Sequence, residues 1–499
     1  MILTASNSSS AIKERKEAFV TGHSGTTISE IILICASSPA GIGFYFLLLH
    51  IICSSSTATN TNTTVFFKRR FKILGPIVLE FLVILLPMIV GQTKFLYPFG
   101  ITILLGELLS TVLLLHSRWG NPQQPLRTSS GAGSTIPNSN PIKKTAVVPF
   151  VTLYRSSMYI HTFIAILAVD FHVFPRTLAK TETVGYGFMD LGASSFVISS
   201  GLVASLQTKT KSSRAISTTA TTTTLPLLVL GLLRIITNKS ADYQEHVSEY
   251  GIHWNFFFTL AVTRTITALV KPSCIIVPWI LLLMYQVLLS VYHVQEYVET
   301  ASRIICPIPT TLGVINNSVV CSFFAANREG ILGCISYGCL HCISRSIGCF
   351  CLAYGPSQWK RLSFCTLMLW MLHFCFTGLL NIPVSRRSTN LTFITWSLAH
   401  NVTMLLLFWI VADPFIPSPD KIPPILSAVN RHGFILFVIS NLLTGAVNLS
   451  INTLEVVDDW IALFILISYI ACIALIALLL DNITGTAEKD NSSPKTIRS

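Results

Sequence analysis

Apolar runs of about 17–25 residues, the length that carries a helix through a hydrocarbon core, recur from residue 38 to residue 481 with little chain between them. Inside lipid the backbone has no water to bond, so such runs must close their hydrogen bonds internally as helices. The pattern predicts an all-α, polytopic membrane protein with about thirteen transmembrane helices, near 38–55, 73–91, 97–116, 157–174, 188–207, 222–237, 252–270, 273–292, 330–354, 362–382, 391–412, 431–451 and 459–481. Composition agrees, because 51% of residues are hydrophobic and 11% charged, less than half the charge of an ordinary soluble domain.

The expected layout is an N-terminal lumenal segment over 1–37, one multi-pass domain over 38–481, and a cytosolic tail over 482–499. Stretches near 54–64, 120–141 and 208–221, rich in Ser, Thr, Asn, Pro and Gly, read as flexible loops. Lys13 to Glu17 are followed by polar residues, which is not the order of a cleavable signal peptide. Ile28 to Ala36 reads as a short interfacial or re-entrant piece. The 13 cysteines lie mostly inside apolar runs, where Cys behaves as a small hydrophobe, so they do not form a disulfide framework.

A net charge of +12 raises nucleic acid as a partner, but the basic residues sit in short loops between apolar runs, which excludes it. Lys68, Arg69, Arg70, Lys143, Lys144, Lys209 and Lys211 follow odd-numbered runs, and far fewer follow even-numbered ones. Positive-inside logic then puts the N-terminus in a lumen and the C-terminus in the cytosol. The acids gather on the lumenal side, a polar face suited to a hydroxylic substrate.

The stretch ILAVDFHVFPRTLAKTETVGYG, Ile166 to Gly187, sets charge against the end of an apolar run. A carboxylate at a membrane-helix centre costs roughly 2.5–3.5 kcal/mol on insertion scales, so Asp170 needs a reason for its place. Lys180 is its nearest expected partner. On an unbroken helix the two would stand about 15 Å apart, but Pro175 should break the helix and let the chain fold back.

Three further patches stand out. Gly231 to Leu260 crowds Arg234, Asp242, Tyr243, Glu245, His246, Glu249, Trp254 and Asn255 around one loop; Asn327, Arg328 and Glu329 lie at the mouth of an apolar run; Arg386 and Arg387 form a pair suited to phosphate oxygens. Cys339-Leu340-His341-Cys342 has a C-x-x-C spacing but no second ligand pair at zinc-finger distance, so no metal site is assigned. No Walker loop, G-x-S-x-G elbow, H-E-x-x-H helix or His-x-x-x-x-Asp pair occurs.

The stretches Ala168 to Val197, Gly231 to Ala261, FFAANREGI, PVSRRSTNLTF and Phe434 to Ser450 resemble the glucosaminyl-phosphatidylinositol inositol acyltransferase family of GPI-anchor biosynthesis. That resemblance implies an endoplasmic-reticulum enzyme moving a fatty acyl group, usually palmitoyl, from acyl-CoA to an inositol hydroxyl of glucosaminyl-phosphatidylinositol. Asp170 and Lys180 match the family's acid and base, and a lumenal N-terminus is the family's orientation. Expected substrate-binding residues are Arg176, Glu182, Asp190, Arg234, Asp242, Tyr243, Glu245, His246, Trp254, Asn255, Asn327, Arg328, Arg386 and Arg387. Acyl-CoA is a co-substrate, with no permanently bound cofactor. The rival reading is a proton-coupled multi-pass transporter, against which stands the lack of an internal repeat.

Topology is directly testable. A cysteine beside Asn62 is expected to label from the cytosol and one beside Asn316 from the lumen; the opposite pattern means a miscounted crossing.

Overall fold

Long runs of Leu, Ile, Val and Phe interrupted by few breakers become helices, and the computed structural model of the chain is helical almost throughout. It describes residues 15, 18–19, 21–56, 74–97, 100–120, 148–207, 224–236, 247–269, 276–303, 319–353, 357–416 and 419–492. Helix α1 runs Ile28–Ser56, α2 Leu74–Gly91, α3 Gly100–Gly120, α4 Pro149–Ala168 and α5 Leu191–Gln207. Then come α6 Thr224–Ile236, α7 Val247–Tyr250, α8 Phe256–Leu269, α9 Ile276–Val291, α10 Val294–Thr300 and α11 Val319–Ala326. The last are α12 Arg328–Cys351, α13 Gln358–Phe374, α14 Leu391–Phe415, α15 Pro424–Ser450 and α16 Asp459–Ser492.

A helix lies over every predicted run, and the chain is an all-α polytopic membrane protein. Among the described residues 7 helices are long and apolar enough to cross a membrane, or up to 8 when the α9–α10 pair, bent by 70°, counts as one. The rest are shorter, as α6 and α8 are, or more polar. Helix α4 carries Arg155, Ser156, Ser157 and His161, and α12 carries His341 and Arg345.

Two expectations need correcting. Ile28 to Ala36 is no separate interfacial piece but the start of α1, opened by Thr27, whose Oγ1 accepts from the Glu30 N–H at 3.3 Å. The run drawn over 157–174 begins at Pro149 and ends at Ala168, well before Pro175, so Asp170 stands beyond a helix end. One cysteine also departs from expectation. Cys321 is disulfide-bonded, whereas Cys334, Cys339 and Cys351 are free and buried.

Contacts divide the chain into two units, residues 1–32 with 169–406, and residues 33–168 with 407–499. In the second unit α4 packs on α15 and α16. Gly433 permits that approach, since a Cβ there would lie 2.4 Å from the Tyr159 ring. Glu80 ends the first part of α2, just before a π turn at Phe81–Leu85. Its fully buried carboxylate accepts from the Ile425 N–H at 2.9 Å and the Leu426 N–H at 2.8 Å. The opening of α15 would otherwise leave those donors unpaired in an apolar interior.

Removing that acceptor exposes the debt. Glu80→Ala should lower stability by about 1–3 kcal/mol in thermal unfolding of the purified chain in detergent, and Glu80→Gln should recover part of it. Wild-type unfolding in Glu80→Ala would mean that the cap contributes nothing.

Candidate functional site

The charged stretch identified in the sequence forms a loop that is held shut from within. Arg176 donates through Nη1 to the Val169 carbonyl at 2.9 Å, through Nη2 to Phe171 at 2.9 Å and Phe174 at 3.0 Å, and through Nε to Phe174 at 3.1 Å. Its guanidinium also lies 4.1 Å from the centre of the Phe19 ring. These carbonyls belong to the chain leaving α4, and a planar fork of donors collects them as a single ammonium could not. Burial lowers the Arg176 guanidinium to about 10 while the charge of Asp170 acts in the opposite sense. Asp170 therefore lies within electrostatic reach of Arg176.

The second half of the loop is closed by Asp190. Its carboxylate accepts from the Thr181 N–H at 3.3 Å and from Thr181 Oγ1 at 2.7 Å, and it faces Arg386 Nε at 2.8 Å. Asp190 is 1% exposed, so the ion pair is nearly dry. Gly187 is required by the fit, since a Cβ there would lie 2.4 Å from Asp190 Oδ2.

Lys180, between these two anchors, forms an ion pair with Glu249 of α7. Asp190 also feels the Lys180 charge. On Arg386, burial acts to lower the guanidinium, but Asp190, Glu249, Tyr250 and Tyr337 outweigh it and raise it. Burial likewise pushes the Tyr250 phenol well above its usual value, with Tyr337 and Glu249 adding and Arg386 and Arg234 opposing. Four patches separated in sequence thus converge: the 169–190 loop, α7, Tyr337 on α12, and the 382–390 loop before α14.

A second cluster gathers on Glu329, whose side chain is fully enclosed. Arg303 approaches it with both ends of its fork, at 2.8 and 3.0 Å, and Arg387 Nη2 lies at 3.2 Å. Arg328, 1% exposed, points elsewhere. It donates to the Val298, Ala301 and Ser302 carbonyls at 3.2, 2.6 and 3.3 Å, which closes the C-terminal end of α10 where the helix dipole favours a cation. Glu299 joins the neighbourhood by accepting from Ser385 Oγ at 2.7 Å.

Other predicted binding residues have architectural contacts. Asn255 opens α8, its Oδ1 accepting from the Phe257 N–H at 3.1 Å and its Nδ2 donating to the Gly231 carbonyl at 2.9 Å. Trp254 Nε1 donates to Thr259 Oγ1 at 3.0 Å. Asn327 accepts from the His253 N–H at 2.7 Å and donates to the Phe323 carbonyl at 2.9 Å. Beside it Gly251 has φ +117°, and a Cβ would lie 2.5 Å from Asn327 Cα. The backbone N–H of the half-buried Glu182 donates to the His23 carbonyl at 3.0 Å, and Arg234 is exposed on α6. Asp242, Tyr243, Glu245 and His246 lie outside the described residues.

The expected binding set lacked Glu249, Tyr250, Arg303, Glu329 and Tyr337. Glu249 and Glu329 stood inside patches already marked by their charge, and Arg303 was visible only as one more loop arginine. Tyr337 had no signal, being one aromatic in an apolar run.

An all-α polytopic membrane protein with a partly buried acid–base network in its first unit defines the class. The GWT1 family model matches residues 12–480, and the chain belongs to that family. Proteins named GPI-anchored wall transfer protein 1 are similar along most of its length. The one from Aspergillus oryzae is 33% identical, covering 95% of this chain and 98% of its own. That from Emericella nidulans is 32% identical over 93% and 97%, and that from Yarrowia lipolytica 34% over 67% and 72%. The family resemblance read from the sequence holds.

Arg386→Ala leaves Asp190 buried without its cation and should cost about 3–5 kcal/mol. Asp190→Asn combined with Arg386→Met, which removes both charges, should cost clearly less. Thermal unfolding in detergent checks the difference, and equal losses would show that packing rather than charge dominates.

Proposed function

We propose that this chain acts in GPI-anchor biosynthesis as an acyltransferase of the endoplasmic-reticulum membrane. It would move a fatty acyl group, such as palmitoyl, from acyl-CoA to an inositol hydroxyl of glucosaminyl-phosphatidylinositol. Membership of the GWT1 family supports the pathway. The chemistry is supported by one observation above the rest: Lys180, ion-paired with Glu249, shares a loop with Asp170 beside the Asp190–Arg386 pair.

A thioester is an activated donor, so the demanding step is to take a proton from a weakly acidic hydroxyl while negative charge grows on the thioester oxygen. In this reading Asp170 accepts the hydroxyl proton as the oxygen attacks the carbonyl carbon. Lys180 faces the oxyanion. Collapse of the tetrahedral intermediate breaks the carbon–sulfur bond and forms the ester, and the leaving thiolate takes the proton back from Asp170. The step is read as direct transfer to the hydroxyl, with no acyl-enzyme intermediate.

The charge balance divides the arginine pair. Arg386 is matched by Asp190 at 2.8 Å, whereas Arg303 and Arg387 both pair with the Glu329 carboxylate. Arg387 with Arg303 is therefore the better holder of the acceptor's phosphodiester. Asp242 and Glu245 would favour the glucosamine ammonium over an uncharged N-acetylated sugar.

Acyl transfer from radiolabelled acyl-CoA in membranes tests the reading. Asp170→Asn should reduce turnover by ~10²–10⁴ at normal protein level, and Lys180→Ala should fall similarly with Lys180→Arg partly restored. Near-wild-type acylation in Asp170→Asn would sink the assignment.

A further inference from the structure

The residues ahead of α1 are laid along the loop that carries Asp170 and Lys180. The His23 carbonyl accepts from the Glu182 N–H at 3.0 Å. The Thr26 N–H donates to the Tyr186 carbonyl at 2.7 Å, where the two residues form an antiparallel bridge. Phe19 sets its ring edge-on to His172 at 4.7 Å and lies 4.1 Å from the Arg176 guanidinium. One short stretch therefore touches the loop at 172, 176, 182 and 186, on either side of Lys180 and just after Asp170.

The fit is backbone against backbone. A Cβ on Gly25 would lie 2.4 Å from the Tyr186 carbonyl oxygen and 2.9 Å from Thr181 Cγ2, and one on Gly185 would lie 2.1 Å from the Ser24 carbonyl oxygen. Gly25 has φ +87° and Gly185 φ +133°, conformations that glycine enters without strain. The same piece of loop is also bonded to the chain before α14, since the Gly185 N–H donates to the Val384 carbonyl at 2.9 Å. Residues 182–186 are thus tied both to the N-terminal stretch and to the loop that carries Arg386.

Arg176 connects this contact to the acid. Its N–H groups hold the carbonyls of Val169 and Phe171, the residues on either side of Asp170. The place of the Asp170 backbone therefore depends on where the guanidinium sits. A guanidinium so committed is still attracted to the face of an aromatic ring, and it lies over that of Phe19. Phe174, at 5.4 Å, is a second and more distant ring that belongs to the loop itself. Phe19 is the contribution from outside the loop.

We propose that Phe19 is a positioning residue of the acid–base loop. Through Arg176 it fixes Asp170, while residues 23–26 fix the end of the loop that follows Lys180. The stretch ahead of α1 is then part of the active site, although it supplies no reacting group. This rests on the reading of Asp170 and Lys180 as acid and base, and it extends that site to chain lying before the first helix.

Two measurements on the full chain in nanodiscs test this: backbone hydrogen exchange within residues 169–187, read without substrates, and acyl transfer with separate kcat and KM for donor and acceptor. Phe19→Leu keeps an apolar side chain without the aromatic face. It should speed exchange around Asp170 and lower kcat roughly tenfold, with both KM values and exchange in α5 unchanged, while Phe19→Tyr should keep most of the wild-type rate. Gly25→Ala, acting at the other end, should speed exchange around Glu182 and lower kcat in the same way. Unchanged loop exchange in Phe19→Leu and Gly25→Ala would overturn the proposal, because the stretch would then only rest on the loop. So would a rise in KM alone, which would make it a substrate contact, or equal losses in Phe19→Leu and Phe19→Tyr, which would leave the aromatic face no role. Loop exchange that depends on Phe19 and Gly25 in a chain that transfers no acyl group would overturn the reaction and keep the hold on the loop. Acyl transfer at the wild-type rate with a loosened loop would keep the reaction and overturn the positioning role.

Discussion

A charge taken out of water has to be answered where it lies, and that constraint orders the first unit. Asp190 and Arg386 are almost fully enclosed and face each other at 2.8 Å. Such a pair adds little net stability over an apolar one, but either member alone is costly. The pair therefore acts as a positional lock. It ties the loop after α4 to the loop before α14, and Lys180 is carried on the same frame.

The arginines show how one residue type serves different ends by what surrounds it. Arg176 and Arg328 spend their donors on backbone carbonyls, which closes the exit from α4 and the end of α10. Arg386 is neutralised by a carboxylate. Arg303 and Arg387 share theirs, which leaves cationic character for a ligand to meet. Proximity of charge to an apolar run does not distinguish these fates; the partner does.

That limit marks what was legible beforehand. Helix positions were readable because a membrane forces an apolar run into one structure, and the runs landed on helices throughout. The loop with Asp170 and Lys180 was readable because charge at such a run's end is costly. The pairing was not, since Lys180 meets Glu249 across 69 residues of chain and no local spacing encodes that. The helix end at Ala168 was misplaced for a similar reason. Pro175 is an obvious breaker, but the terminus is set by Arg176 reaching back to Val169 and Phe171. Asn255 caps α8 by ordinary chemistry, visible in the residue type but not distinguishable there from ligand binding, whereas Asn327 accepts from the His253 N–H and donates to the Phe323 carbonyl.

The buried carboxylate of Glu80 also concerns time. Its partners, the N–H groups of Ile425 and Leu426, follow 345 and 346 residues later in the chain. At a synthesis rate of 5–20 residues per second the ribosome needs roughly 20–70 s to cover that distance. For that interval α2 holds a carboxyl group with no helix end to receive it. Insertion of the early helices must therefore proceed with the second unit incomplete, and its final packing waits for residues 407–499 to be made.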